Sequence, residues 1–371
     1  MKKDEKLIRE FAALAGVEIN GSRERDMQVL DTRFYSRMLR DGPFALGESY
    51  MDGWWDVASL DDLIFRFVRA DLERRISPLK LILPVLKAKM FNLQHRGRAF
   101  RIGEHHYDLG NDLYRAMLDK WMTYTCGYWR DADDLDQAQE AKLELVCRKI
   151  GLQQGMTVLD IGCGWGSFAR YAAEKYGVSV TGITVSKEQV ELGSSLCEGL
   201  PVEIRLQDYR DVQGVFDRVV SLGMFEHVGV KNYRRYMQII ERSLTDDGIF
   251  LLHTIGANEP RFARDPWTEK YIFPDSILPC AGQIARAAEG LFIMEDWHSF
   301  GTHYDPTLMA WMENCDRHWE SLDQTKYDGR FYRMWKYFLL TAAGAFRARR
   351  NQLWQVVFTK RGLPGGLESI R

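Results

Sequence analysis

The sequence predicts an α/β protein: a doubly wound parallel sheet carrying a helical insertion, preceded by a small, mainly helical N-terminal domain. Three observations predict it. From Thr157 onward, short apolar and β-branched runs alternate with segments of helical periodicity, the pattern of parallel strands joined by crossover helices. The first run, Thr157-Val158-Leu159, suits a buried central strand. It opens directly into Asp160-Ile161-Gly162-Cys163-Gly164-Trp165-Gly166, where closely spaced glycines let backbone approach a ligand. The chain also has 371 residues, more than one ordinary domain needs, so a second domain or long insertions are expected.

Taken in order, residues 5–70 read as short helices and turns punctuated by Gly42-Pro43, Gly47 and Gly53, a small separate domain. Residues 60–68 repeat apolar positions at helical spacing. Over 66–101 basic residues outnumber acidic ones, and Lys80, Lys87 and Lys89 are interleaved with Leu79, Leu81, Leu83 and Leu86. Such a segment suits an anionic bilayer surface, and equally an interdomain helix whose charges are solvated. His105 and His106 are adjacent, so their side chains diverge, and no third ligand stands near them; they read as ordinary residues rather than a metal site.

Residues 136–150 form a helix by pattern, with Leu143, Val146 and Ile150 on one face and Gly151 as its stop. A helix beginning near Ser167 closes the glycine turn. Further strands are expected over 179–183, 202–206, 218–222, 249–253 after the Asp246-Asp247-Gly248 turn, and 292–297. Helical stretches over 306–319 and 331–347 and a closing antiparallel strand over 353–359 complete the chain. Residues 256–289 are too long for a simple connection and carry Trp267, Tyr271, Ile272, Phe273, Ile277 and Leu278, so they read as an insertion capping the active face, a substrate lid.

Composition excludes several classes. A formal charge of −2 argues against a polyanion partner over the whole surface, and no apolar run reaches membrane-spanning length. The N-terminus opens on charged residues and does not read as a signal peptide. The six cysteines lie far apart with no Cys-x-x-Cys, which argues against zinc and a disulfide framework and suits a reducing cytoplasm. Eleven tryptophans hint at an apolar pocket or an interfacial surface.

In an open parallel sheet, ligands sit beyond the carboxyl ends of the strands. Asp160 with Gly162, Gly164 and Gly166, then Thr184 and Gln189, then Gln207, Asp208 and Tyr209 fall there and would ring a cofactor. Gly223-Met224-Phe225-Glu226-His227, His253 and Tyr304 fall there too and would ring a substrate. The dinucleotide pattern Gly-x-Gly-x-x-Gly is not met, because the third glycine comes one residue early. Strand 218–222 is not followed by an Asn-Pro-Pro-Tyr-like base pocket, so nucleic-acid methylation lacks support and no nucleic-acid partner is expected.

The Asp-x-Gly-x-Gly-x-Gly turn resembles the first motif of S-adenosylmethionine-dependent methyltransferases. Further text narrows the resemblance: Tyr107-Asp108-Leu109-Gly110-Asn111, Tyr124-Thr125-Cys126, Gly182-Ile183-Thr184-Val185-Ser186-Lys187-Glu188-Gln189, Phe225-Glu226-His227-Val228-Gly229, Leu252-His253-Thr254-Ile255 and His303-Tyr304. Over nearly its whole length the chain resembles the family of cyclopropane-fatty-acyl-phospholipid and mycolic acid cyclopropane synthases. Thr184 stands where most methyltransferases place an acidic residue, and Thr184 followed by Gln189 is similar to this family's own usage.

The resemblance implies a Rossmann-like methyltransferase sheet and a methyl transfer from S-adenosyl-L-methionine to a cis double bond of an acyl chain, with ring closure. It implies cofactor contacts from Tyr124, Thr125, Asp160, Gly162, Gly164, Gly166, Thr184, Gln189, Gln207, Asp208, Tyr209 and Gly223. It also implies a bicarbonate ion acting as base among Cys126, Glu226, His253, Ile255 and Tyr304, with Cys126 not a nucleophile because no covalent acyl step is needed. The same resemblance divides the chain into a lipid-associated domain (1–78), a basic linker (79–103) and a catalytic domain (104–371). The expected partner is a phospholipid bilayer with unsaturated acyl chains, met peripherally from the cytoplasm at the inner membrane surface. A homodimer is compatible with this. The competing readings are a methyltransferase of an amine or other small molecule, as in related plant N-methyltransferases, and a nonenzymatic sensor, which would be expected to lose Glu226 or His253.

Overall fold

The computed structural model describes residues 3–72, 110–261 and 265–371. Lys80, Lys87, Lys89, His105, His106 and the 107–109 part of the Tyr107-to-Asn111 motif lie outside the described residues. Contacts divide the chain into two compact units, Met1–Phe91 with Phe262–Pro274 and Leu308–Asn351, and Asn92–Arg261 with Asp275–Thr307 and Gln352–Arg371. The sequence reading divides the chain by role at one linker, whereas compactness interleaves its segments.

The first unit is mainly helical, with helices Lys3–Leu14, Arg33–Asp41, Pro43–Met51, Leu60–Arg69 and Gly329–Arg347. Its two short strands, β1 (Gln28–Val29) and β2 (Trp55–Asp56), pair antiparallel. Two close approaches hold it together. Gly344 lets its helix meet Leu60–Arg69, since a Cβ there would stand 2.5 Å from the Asp61 carbonyl oxygen. Trp55 is fully buried and donates Nε1–H to the Leu46 carbonyl and to Ser49 Oγ, both at 3.1 Å. Glu48 is buried beside Arg37 at 3.2 Å and Lys270 at 2.8 Å and accepts from Tyr271. Burial alone would push its carboxyl up, but those partners outweigh burial and hold it below the usual carboxylate range.

The second unit holds the sheet: β3 (Thr157–Ile161), β4 (Ser179–Thr184), β5 (Val202–Leu206), β6 (Phe216–Leu222), β7 (Leu244–Ala257), β8 (Ile293–Ser299) and β9 (Asn351–Thr359) in the order β5-β4-β3-β6-β7-β9-β8. The pairs β3–β4, β3–β6, β4–β5 and β6–β7 are parallel, and β8–β9 is antiparallel. Strand order reverses about β3, whose two neighbours continue the chain in opposite directions, so the glycine turn after β3 stands at the switch point where such sheets bind ligands.

Successive residues of the central strands enter opposite cores. Val158, Val220 and Leu251 join Leu143, Val146 and Phe168 on one face, while Leu159, Val219 and Leu252 join Tyr236, Met237 and Ile240 on the other. A sheet covered on both faces needs continuous apolar runs, which is why those runs were visible in the sequence. The Asp246-Asp247-Gly248 turn expected ahead of a five-residue strand is instead absorbed into the fourteen-residue β7 as a bulge: Phe216 pairs with Leu244 and Arg218 with Ile249.

The insertion expected over 256–289 carries helices Pro266–Tyr271 and Ala281–Ala288. Trp267 belongs to the first unit, where it packs against Tyr337 with ring centroids 4.7 Å apart. Ile277 belongs to the second, where its N–H donates to the Glu226 carbonyl at 2.9 Å. Among the described residues no helix is long and apolar enough to cross a membrane.

Gly256 on β7 faces Trp354 on β9, and a Cβ there would stand 1.9 Å from the indole ring. Gly256→Ala should therefore destabilise the protein by about 1–3 kcal/mol through overpacking. Denaturation of the single and double variants should show a smaller loss in a Trp354→Phe background; equal losses would mean the two sites are not coupled.

Candidate active site

The turn after β3 holds Gly162, Gly164 and Gly166 at φ of +81°, +57° and +80°, conformations that side chains with a Cβ rarely adopt. Their surroundings differ. A Cβ on Gly162 would meet Met224 at 2.7 Å, and one on Gly166 would meet Ile204 at 2.9 Å, so both are glycine for close packing. A Cβ on Gly164 would meet nothing within 4 Å, so this glycine borders open space suited to a ligand. Asp160, just before the turn, is 1 % exposed, and its Oδ1 has no partner among the described residues. Burial pushes its carboxyl up to about 7, opposed by the Lys142 ammonium.

Beyond β4, Thr184 donates Oγ–H to Gln189 Oε1 at 2.6 Å, and Gln189 N–H donates to Ser186 Oγ, which caps helix Lys187–Leu196. The Gln189 amide is thereby turned with its oxygen to Thr184 and its NH2 left to donate. Beyond β5, Gln207 N–H donates to the Thr184 carbonyl at 2.9 Å, tying the two strand ends together. Asp208 is occupied: it accepts from Arg210 N–H at 2.9 Å and pairs with the Arg210 guanidinium at 2.7 Å. Tyr209 is buried edge-on against Tyr236 in the apolar core, and burial pushes its phenol up to about 12. These two residues thus lie at the expected rim, but the Asp208 carboxylate and Tyr209 ring face protein.

The loop Tyr124-Thr125-Cys126 joins the same rim. A Cβ on Gly223, at φ +76°, would stand 2.8 Å from the Thr125 methyl, so the loop lies directly on the end of β6. The helix Leu135–Lys149 holds that loop from below: Gln139 Nε2 donates to the Thr125 carbonyl at 2.7 Å and Lys142 Nζ to Thr125 Oγ1 at 2.9 Å. Tyr124 stacks edge-on against Tyr114, whose ring meets Trp165 of the glycine turn at 4.7 Å. Cys126 is fully buried, with Sγ 3.7 Å from Thr307 Oγ1, and burial pushes its thiol far above the ordinary range. A thiol so raised is not a thiolate nucleophile.

Glu226 and His253 complete the cluster. Glu226 Oε1 accepts from Ile255 N–H at 2.6 Å, so the Ile255 amide, expected to face the substrate side, holds this carboxylate. Glu226 Oε2 is buried with no partner among the described residues, and burial pushes the carboxyl up to about 7. His253 sits on β7 beside Leu222, edge-on to Phe300. Its Nδ1 lies 3.3 Å from Gln355 Nε2, and its Nε2 is buried without a partner among the described residues. Burial, together with the charges of Lys142, Lys149 and His298, keeps its pKa well below the ordinary value, so the imidazole is neutral. Tyr304 opens helix Tyr304–His318, one turn from Thr307, which accepts from Gly127 N–H and Trp129 Nε1–H and so ties that turn to the Cys126 loop. Among the described residues no cluster of three or more His, Cys, Asp or Glu could hold a metal ion.

Sequence reasoning missed Gln139, Lys142 and Gln355. A signal existed for the first two, because residues 135, 138, 139, 142, 146 and 149 form one buried stripe in which Gln139, Lys142 and Lys149 interrupt apolar residues. Gln355 is a buried amide set between Leu353-Trp354 and Val356-Val357-Phe358 on β9.

The sheet order, the glycine turn at its switch point and the polar rim define a Rossmann-like methyltransferase fold. Coclaurine N-methyltransferase, in a structure bound to N-methylheliamine and SAH, superimposes with a TM-score of 0.67 over 85% of this chain and 98% of its own, at 22% identity, which speaks to the fold alone. Residues 94–356 match the mycolic acid cyclopropane synthetase family, and the chain belongs to that family. It is 51% identical over 367 residues to the cyclopropane-fatty-acyl-phospholipid synthase of Escherichia coli K12, covering 99% of this chain and 96% of that one. It is 31% identical to the mycolic acid cyclopropane synthase CmaA1 in its complex with SAH and CTAB, with a TM-score of 0.64 over 70% of this chain and 98% of that one.

Gly164→Val should place a branched side chain in the open space of the turn. Calorimetry should then show S-adenosylmethionine affinity falling by about tenfold or more, a loss of at least about 1.4 kcal/mol, in a variant whose circular dichroism is unchanged. Undiminished affinity in a folded variant would remove the turn from the cofactor site.

Proposed function

We infer that the protein transfers the methyl carbon of S-adenosylmethionine to a cis double bond of an unsaturated phospholipid acyl chain and closes a cyclopropane ring. Membership of the cyclopropane synthetase family supports the reaction class. The single structural observation that supports it best is the pair of buried, unpartnered polar atoms, Glu226 Oε2 and His253 Nε2, in the loop after β6 and on β7. One is an acceptor when ionised and the other can carry a proton, the complement of a small protonated anion.

The residues fit both groups the reaction needs. S-adenosylmethionine, when bound, supplies an electrophilic methyl, and bicarbonate, when bound, supplies a proton acceptor. Gly164 leaves backbone exposed to open space and Asp160 offers a buried oxygen without a partner, which suits the cationic amino-acid end of the cofactor. The Gln189 amide, oriented by Thr184, leaves its NH2 free to donate to hydroxyls. Glu226 Oε2 would hold the anion by accepting its O–H, His253 Nε2–H would donate to it, and the Tyr304 hydroxyl would be a further ligand. The alkene takes the methyl as its bond to sulfur breaks and the neutral thioether leaves, the transferred methyl then loses a proton as its carbon closes the ring, and these residues would hold the acceptor of that proton in place. An alkene is a poor nucleophile, so rate comes from orientation and from excluding water that would add to the developing cation. The burial of Cys126, Phe225, Tyr233 and Phe300 excludes it.

The division into a lipid-associated domain (1–78), a basic linker (79–103) and a catalytic domain (104–371) is part of this proposal. So is peripheral docking from the cytoplasm on an anionic inner membrane surface.

Mass spectrometry of lipids from cells expressing the protein should show unsaturated phospholipid chains heavier by one CH2. Glu226→Gln should keep cofactor binding while cutting the product by about tenfold or more, since its amide no longer offers a charged acceptor. An increase confined to amines or other small molecules would favour the competing methyltransferase reading.

The pH dependence has a definite sign. Glu226 is pushed up to about 7 and must be ionised to accept the anion's O–H, so activity should rise as pH passes upward through about 7, and this limb should vanish in Glu226→Gln. Its raised carboxyl stabilises the fold fully only below the unfolded value of 4.5 and loses that contribution as pH rises through about 7. Glu226→Gln should therefore melt higher than the wild type above pH 7; a lower melting temperature there would contradict the assigned burial.

A further inference from the structure

We propose that Gln355 is a positioning residue for this reaction: its carboxamide donates to His253 Nδ1 and fixes the imidazole tautomer that carries its proton on Nε2. The proposal rests on the function inferred above for His253. A neutral imidazole carries one N–H, and whichever nitrogen accepts a hydrogen bond forces the proton onto the other. His253 is fully enclosed, and Gln355 Nε2, 3.3 Å from Nδ1, is the partner that nitrogen has. The consequence falls on Nε2, which has no protein partner among the described residues and is the atom left to meet a ligand.

The amide of Gln355 could present either end to His253, and in the structure it presents Nε2. Gln355 on β9 pairs directly with His298 on β8, and paired residues of antiparallel strands project to the same face with Cβ atoms about 4.5–5.5 Å apart. His298 Nδ1 lies 3.0 Å from Lys149 Nζ, which is itself 3.7 Å from Asp296 Oδ2, with Arg371 bonding that carboxylate at 2.6 Å. Gln355 Oε1 is buried with no partner among the described residues, while its Nε2 stands 3.3 Å from His253 Nδ1; an amide NH2 only donates, so Nδ1 accepts and the imidazole proton is left to Nε2.

The test reads the tautomer directly. In protein labelled with 15N-histidine, the resonances of His253, identified by their loss in His253→Gln, should show the proton on Nε2. In Gln355→Met, which keeps length and burial but donates nothing, that pattern should change to a mixture. In Gln355→Glu, whose carboxylate accepts, the proton should move to Nδ1. Turnover should fall in both variants by about tenfold or more, as wrong-tautomer substitutions do, with S-adenosylmethionine affinity unchanged. A proton on Nδ1 in the wild type overturns the proposal without any variant, as does a tautomer indifferent to Gln355. If the protein forms no cyclopropane lipid at all, the function fails instead, and the tautomer remains readable on its own.

Discussion

Glu226 Oε2, His253 Nε2 and Asp160 Oδ1 lie buried with no protein partner among the described residues, and each such atom costs about 1–3 kcal/mol relative to a satisfied one. They stand on β3, in the loop after β6 and on β7, neighbouring segments of one sheet. The surrounding structure is arranged to keep them in place: Ile255 N–H fixes the other oxygen of Glu226, Gln355 fixes the other nitrogen of His253, and Lys142 lies close enough to lower the cost of charge on Asp160. Glu226 and His253 each have one polar atom tied to protein and the other without a partner among the described residues. That asymmetry is what a preorganised site requires, since donors and acceptors are held before the reactants arrive.

The fold places these groups with few elements. Strand order reverses about β3, so the turn after β3, the loop after β6 and the far half of β7 meet at one edge of the sheet. Gly162 and Gly223 let those segments touch, the first against Met224 and the second against Thr125. Lys142, a buried cation, reaches Thr125 in the loop preceding Cys126, and burial lowers it to about 8, so it retains its charge near neutrality.

Much of this was legible in the sequence because the same physics writes it there. Central strands covered on both faces must be largely apolar, which located β3 and the Val219-Val220 stretch of β6, and the glycine turn must have positive φ, which only glycine accepts easily. Glu226 falls in the loop after β6 as expected, whereas His253, expected to end its strand, lies inside β7, which runs on to Ala257. What was not legible depends on contacts between distant segments. Gly166 reads as a ligand glycine but is needed for Ile204, and Asp208 reads as a cofactor contact but is held by Arg210. Ile255 reads as a contact to the anion, yet its N–H is used by Glu226. Gln355 acquires its meaning only from the register of β8 with β9 and from the neighbouring β7. The bulge in β7 was hidden because Asp246-Asp247-Gly248 is turn chemistry wherever it stands, and the pairing of Phe216 with Leu244 cannot be seen locally.

The central claim is that Glu226 and His253 hold a small anion that takes the proton released as the ring closes. Turnover in rigorously carbon-dioxide-free buffer, with bicarbonate then added back, tests it most directly. The account predicts activity that falls on depletion and returns on addition in the wild type, with that response lost in Glu226→Gln. Undiminished activity without bicarbonate, and no stimulation by it, would contradict the account and leave Glu226 itself as the base.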